Sequence, residues 1–295
     1  MSVGWVRRDG WDDSKGRGEG TEKTGRPQRY QNPRPARSPP TGSGQPGADP
    51  DVRVDAEVFK RLVRQTLFAA ACESTKYAFD GILVETRGRQ VAIVATDGRR
   101  LAVATGPVLW ARSYAHQAVR VILREREVRK LPKALPAGQT VSLWTGRNRV
   151  MIGAGASSFD LCPIEDPFPP YEGVIPREVD KFLRTTRADF LAALKMAVQE
   201  IPSAKQDESK GVFLDLTANG LRLTGPDPTP DNPVVELPGN YEGEDLRIAF
   251  NPDFLLDALK VVDAPDVELG FTAANRPMRL TAGPDFLYVL MPVNL

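Results

Sequence analysis

From Asp55 onward apolar side chains follow two alternating spacings, steps of four and steps of two. Phe59, Val63 and Leu67 fall at i, i+4 and i+8, the spacing of one helix face, and Asp55 stands where a carboxylate can cap the helix start. Lys60, Arg61 and Arg64 lie off that face. The step then shortens to two. Residues 81–86, 91–96 and 101–104 predict an antiparallel meander that turns at residues 87–89 and at Asp97-Gly98. Residues 119–123 predict a further strand, 124–131 a short charged helix stopped by Pro132, and 140–144, 149–152 and 157–161 three more strands. The Pro-rich stretch 162–171 interrupts the pattern.

It then restarts. Residues 182–185 read as a strand, and Thr186 with Asp189 resembles a capping box for a helix whose face is Phe190, Leu194 and Val198, ended by Pro202. Strands are predicted at 212–216, 221–223, 234–237 and 246–250, with a turn at Asn219-Gly220. Asn251-Pro252-Asp253 supplies an N-cap, a Pro at the first helical position and an acidic first turn. Phe254, Ala258 and Val262 repeat the stripe. Strands at 267–271 and 278–281 lead to the terminal run 286–295, a β-branched and aromatic pattern that Pro292 interrupts.

A helix headed by Phe and followed by strands thus recurs, the mark of internal duplication. Each unit has one apolar helix face to lay on a sheet, so the fold class is α+β, helices packed on antiparallel sheets. The expected division is a disordered segment 1–50 and two domains, 51–178 and 179–295, parted near 176–180.

Residues 1–50 are rich in Gly, Pro, Arg and Ser and hold nine basic against six acidic residues, which leaves 30 against 32 for the rest. Too little apolar surface is present in that segment to offset its ordering entropy. The remaining net charge of −2 argues against nucleic-acid binding through bulk charge. Cys72 and Cys162 form no disulfide framework and no metal-ligand spacing, which suits a reducing cytoplasm; no cofactor is expected. No apolar run reaches the ~18 residues of a membrane span.

Catalysis finds little support. The single histidine, His116, lies in a polar loop without a Ser or Cys partner arrangement. Gly153-Ala154-Gly155 lacks the third Gly of a phosphate cradle and sits between strand runs. Glu165 and Asp166 lie in the Pro-rich stretch.

Three segments carry a resemblance. Ala95-Thr96-Asp97-Gly98-Arg99-Arg100-Leu101-Ala102-Val103, the stretch Phe168-Pro169-Pro170-Tyr171-x-x-Val174-Ile175-Pro176, and the terminal Met291-Pro292-Val293-Asn294-Leu295 resemble the bacterial DNA polymerase sliding clamp family, over about residues 51–295. The resemblance implies tandem clamp-type domains in a closed ring around duplex DNA, with helices inside, sheets outside and no reaction catalysed. Its implied DNA contacts, to phosphates rather than bases, are Lys60, Arg61, Arg64, Lys76, Tyr77, Arg124, Arg126, Arg129, Lys130, Lys195 and Lys260. Its implied peptide pocket is walled by Phe79, Thr96, Gly98, Arg99, Arg100, Leu101, Pro169, Val174, Val289, Leu290, Met291, Pro292, Val293 and Leu295. Met offers adaptable contact surface there. The implied partners are duplex DNA, the replicative polymerase, the clamp loader and other proteins with clamp-binding peptides, and the chain is expected to be a homo-oligomer. Two departures stand out: Asn294 replaces the family's terminal Arg, and the family's first domain has no counterpart. A six-domain ring then needs three copies joined head to tail. An adaptor that takes peptides without encircling DNA is the alternative.

Overall fold

A computed structural model describes residues 49–71, 78–113, 119–199, 211–225 and 234–293. The chain divides into two compact units, residues 1–41 and 42–295, and every described residue lies in the second. The expectation for 1–50 therefore falls almost wholly outside the described residues, as do Cys72, His116 and Pro202.

Four times a short strand runs straight into a helix, and a meander follows. The first unit is β1 (Val52–Asp55), α1 (Ala56–Thr66), β2 (Gly81–Arg87), β3 (Gln90–Thr96) and β4 (Arg100–Pro107), trailed by β5 (Trp110–Ala111). The second is β6 (Arg120–Arg124), α2 (Glu125–Val128), α3 (Leu131–Ala134), β7 (Thr140–Thr145), β8 (Val150–Ala154) and β9 (Ser157–Leu161). The third is β10 (Lys181–Thr186), α4 (Arg187–Gln199), β11 (Val212–Thr217), β12 (Gly220–Thr224) and β13 (Val235–Leu237), trailed by β14 (Asn240–Glu242). The fourth is β15 (Leu246–Phe250), α5 (Pro252–Val261), β16 (Asp266–Phe271), β17 (Met278–Ala282) and β18 (Phe286–Leu290).

The leading strand of each unit pairs with the meander of its neighbour: β1 with β7, β6 with β2, β10 with β16 and β15 with β11. This exchange knits successive units into sheets of five, nine and four strands. The nine-stranded sheet, in the order β14-β10-β16-β17-β18-β4-β3-β2-β6, runs through both halves of the chain because the last strand, β18, pairs antiparallel with β4.

Helix starts follow local chemistry. The Asp55 carboxylate accepts from the Glu57 and Val58 N–H groups at 2.8 and 3.1 Å. Thr186 Oγ1 accepts from Asp189 N at 3.1 Å and donates to the Asp189 carboxylate at 2.7 Å. Asn251 Oδ1 accepts from Asp253 N at 2.9 Å, with Pro252 opening the helix. Phe59, Leu62 and Val63 of α1, Phe190 and Leu194 of α4, and Leu255, Ala258 and Leu259 of α5 enter one continuous core. The approach is close: a Cβ on Gly106 of β4 would meet Val58 of α1 at 2.6 Å, so only glycine fits there.

Several expectations are corrected. Regular structure begins at Val52 rather than Asp55, because a short strand leads into α1 as the predicted strands lead into α2, α4 and α5. The single helix 124–131 is two helices, and Pro132 lies in the first turn of the second instead of stopping the first, where its missing N–H costs nothing. The α5 face centres on Leu255, Ala258 and Leu259, leaving Phe254 half-buried at its edge. Asp97-Gly98 is part of a four-residue loop, since Thr96 pairs with Leu101. β5 and β14 were not anticipated from the pattern.

Candidate functional site

The seam between β18 and β4 organises the site. Leu287 pairs with Val103, Tyr288 with Ala102, Val289 with Leu101 and Leu290 with Arg100. Beyond the strand, Met291 N donates to Arg99 O at 3.0 Å and Val293 N to Ala249 O at 2.9 Å. The chain end is thereby held beside the 97–100 loop, about 190 residues away in sequence. That loop is built by its own side chains. Asp97 Oδ1 accepts from Arg99 N and Arg100 N at 2.9 and 3.0 Å, and Thr96 Oγ1 accepts from Gly98 N at 3.1 Å while donating to Arg100 O at 2.7 Å. Gly98 takes φ +86°, a conformation that side chains disfavour.

Strand alternation sends neighbours to opposite faces. Leu83, Val94, Leu101 and Val289 form a second apolar cluster with Phe168 and Tyr171 of the Pro-rich stretch, which lies across this face as a strap. Val103, Ile122, Val174, Ile175 and Leu287 border it, half-buried. The cluster therefore contains a strip whose exposure falls between core and surface, open along Leu287 and Val103. Val174 follows a tight turn (Tyr171–Gly173) and donates its N–H to Tyr171 O at 3.1 Å.

Phe286, Tyr288 and Leu290 point the other way, into the helix-side core. So does the Arg100 guanidinium. It stands 4.2 Å above the Phe254 ring and 5.4 Å from that of Phe68, and it pairs at 3.0 Å with both Asp97 and Asp257. Burial works against this cation, but the Asp97 and Asp257 carboxylates outweigh it and hold its pKa above the ordinary guanidinium value. Tyr288 is fully buried, which pushes its phenol far above the usual range, and its hydroxyl donates to Phe254 O at 3.0 Å.

The fourteen pocket candidates therefore separate. Thr96, Gly98, Leu101, Pro169, Val174, Val289, Met291, Pro292 and Val293 lie along the strap, the loop and the seam, and Arg99 is exposed beside them. Arg100 and Leu290 sit behind the sheet. Phe79 is half-buried in the turn before β2, its carbonyl accepting from Ala71 N at 2.9 Å, and joins neither apolar cluster. Leu295 lies outside the described residues. Sequence reading passed over Leu287, Val103, Ile175 and Phe168; the period of two from Val289 and Leu101 was the signal for the first two.

The cationic candidates are mostly engaged. Lys60 pairs with Glu57 at 2.9 Å, Arg129 with Glu125 at 2.6 Å and Lys260 with Asp257 at 3.5 Å. Arg61 reaches Asp285 at 3.4 Å and Arg64 reaches Asp263 at 2.5 Å, so both bridge the halves of the chain as Arg100 does. Arg124 pairs with Asp80 at 3.4 Å and, by alternation from Leu123, shares the strap face with Ile122 rather than the helix side. Arg126, Lys130 and Lys195 have no ion pair among the described residues. Lys76 and Tyr77 lie outside them.

Comparison with known proteins accounts for this arrangement. The family model described as the central domain of the DNA polymerase III beta subunit matches residues 53–170, and that described as its C-terminal domain matches 172–294. A beta sliding clamp of Pseudomonas putida is 29% identical over 265 residues, covering 88% of this chain and 70% of the relative. That of Escherichia coli K12 is 28% identical over 239 residues, covering 80% and 63%. That of Caulobacter vibrioides is 31% identical over 258 residues, covering 84% and 67%. The chain thus spans about two thirds of the length of these relatives. A DnaN sliding clamp of Pseudomonas aeruginosa bound to griselimycin superposes with TM-score 0.76 at 25% identity, covering 87% of this chain and 68% of that one. A Thermotoga maritima beta subunit gives TM-score 0.76 at 25% identity, covering 85% and 67%. The chain belongs to the bacterial DNA polymerase III beta-subunit family, the sliding clamps, a family of non-catalytic processivity factors whose central and C-terminal domains it carries.

Proposed function

We propose that the chain is a DNA sliding clamp that encircles duplex DNA without reading its sequence and tethers replication and repair proteins through peptides docked on the strap face. In this reading residues 51–178 and 179–295 are tandem clamp domains acting in the cytoplasm. The partners are the replicative polymerase, the clamp loader and other carriers of clamp-binding peptides. The pairing of β18 with β4 carries the reading. It brings Met291 and Pro292 to the 97–100 loop and supplies Val289 and Leu101 as a joint apolar floor. A few apolar anchors seated in such a groove supply most of a peptide's affinity.

Ring closure follows the same geometry. β4 and β18, the last meander strands of the first and fourth units, pair within the chain. Their counterparts in the second and third units, β9 and β13, are sheet edges among the described residues. Joining β9 of one copy to β13 of the next repeats the internal junction, so that copies joined head to tail can close a ring. Such a head-to-tail interface closes or grows into a filament. Arg126, Lys130 and Lys195 remain to meet phosphates, few enough that retention depends on topology rather than charge.

The test is retention on nicked circular DNA. The protein, loaded by its cognate clamp loader, is expected to stay on the circle, to leave when the circle is cut, and to show a native mass above that of one chain. The engagement of Lys60, Arg61, Arg64, Arg129 and Lys260 by carboxylates favours a second reading, an adaptor that binds peptides without encircling DNA. Equal retention on circular and linear DNA would support the adaptor and remove the ring.

A further inference from the structure

We infer that Glu85 and Arg87 are positioning residues for the docking groove, gripping the strap at Tyr171 and Glu172 so that Val174 and Ile175 stand as its wall. This inference rests on the docking reading above. Glu85 is fully buried in β2, on the same face as Leu83, where a carboxylate is costly unless its oxygens are satisfied. They are. Oε1 accepts from the Tyr171 hydroxyl and from Arg87 Nε, each at 2.7 Å, and Oε2 pairs with Arg120 of β6. Arg87 in turn donates to the Tyr171 hydroxyl at 2.8 Å, lies 5.7 Å from the centre of its ring and pairs with Glu172.

Two consecutive strap residues are therefore held by directed, charge-assisted bonds. Apolar packing of Phe168, Val174 and Ile175 is non-directional, and the next directed bond beyond this grip is that from Arg279 Nη1 to Pro176 O at 3.3 Å. The grip is placed at the turn that ends in Val174, and the Phe168 ring meets Tyr171 edge-on at 6.3 Å between centres, so strap residues on both sides are fixed by the same contact. Burial and the Glu85 carboxylate keep the Tyr171 phenol protonated far above neutral pH, so the donor is always present.

Tyr171→Phe tests this with the ring and its packing kept, with a synthetic clamp-binding peptide as the probe. Titration calorimetry is expected to show binding weakened roughly fivefold to tenfold, because a loosened strap leaves only a fraction of molecules with the groove formed. Glu85→Gln is expected to act alike, and the two together to lose no more than one alone, as for residues acting as a unit. Amide exchange at residues 171–175 is expected to quicken in Tyr171→Phe while exchange in β8 stays unchanged. Ile152→Val, in the separate five-stranded sheet, is expected to lower the melting temperature and leave affinity at the wild-type value. Unchanged affinity and exchange in Tyr171→Phe, or equal weakening by Ile152→Val, would overturn the positioning role. A wild-type chain that fails to bind the peptide while strap exchange still responds to Tyr171→Phe would overturn the docking reading instead.

Discussion

Tyr288→Ala is expected to lower the free energy of unfolding by about 3–5 kcal/mol, the range for removing a large buried ring. Tyr288 has no exposed surface and lies in the strand that joins the two halves. Its ring centre is 5.6 Å from that of Phe68, and its hydroxyl satisfies the carbonyl of Phe254 on α5. One side chain of the terminal strand thus touches both the segment after α1 and α5. Urea unfolding monitored by fluorescence and by far-ultraviolet dichroism measures the loss. A loss below about 1 kcal/mol, the scale of a surface change, would mean that the seam contributes little. Tyr288→Phe is expected to cost about 1 kcal/mol, since it removes only the hydroxyl and its hydrogen bond to the Phe254 carbonyl.

Arg100→Ala is the second large effect, expected at about 3 kcal/mol. The guanidinium lies between two aromatic rings and bridges Asp97 of the loop to Asp257 of α5. Removing it empties that space and leaves Asp97 and Asp257 short of a counter-charge. Arg100→Lys keeps the charge but loses the fork and the stacking plane, so it is expected to recover less than half of the loss. The same urea series checks both variants. If Lys substitutes fully, the bridging and stacking described here are unimportant and only charge matters. Arg61 and Arg64 make similar bridges, to Asp285 and Asp263, but in more exposed positions. Such pairs are typically worth about 0–1 kcal/mol.

How much of this could be read from the chain itself depends on how local the cause is. The caps at Asp55, Thr186 and Asn251 are set by residues within three positions of the helix start, and all three are found where the pattern puts them. The terminal strand is legible because 286–290 is apolar throughout. That same uniformity hides its two faces: Val289 and Leu290 are equally greasy, and only pairing with β4 separates the strap side from the core side. The resemblance implies Arg100 as a pocket residue, whereas strand alternation turns its guanidinium toward Phe254 behind the sheet. Of the four leading strands only Val52–Asp55 escapes the pattern: it has four residues and gains its identity from β7, about 90 residues distant. Glu85 gave no signal, since a single carboxylate in residues 81–87 looks like an ordinary solvent-facing strand position. Its meaning comes from Tyr171, far along the chain. The convergence of the chain end with the Asp97-Gly98 loop came from the family resemblance; no periodicity reports it.

The measurement that bears most directly on the site is titration calorimetry of a synthetic clamp-binding peptide with the intact chain and with Met291→Ala. Met291 is half-buried beyond the last sheet pair, its N–H tied to Arg99 O, so truncation leaves the strand in place while removing apolar surface from the groove end. Binding by the wild type, weakened at least about fivefold by Met291→Ala with the melting temperature nearly unchanged, is the predicted result, since loss of one anchor is worth about 1 kcal/mol or more. Equal affinity in the two proteins would contradict the placement of the docking groove at the β4–β18 seam.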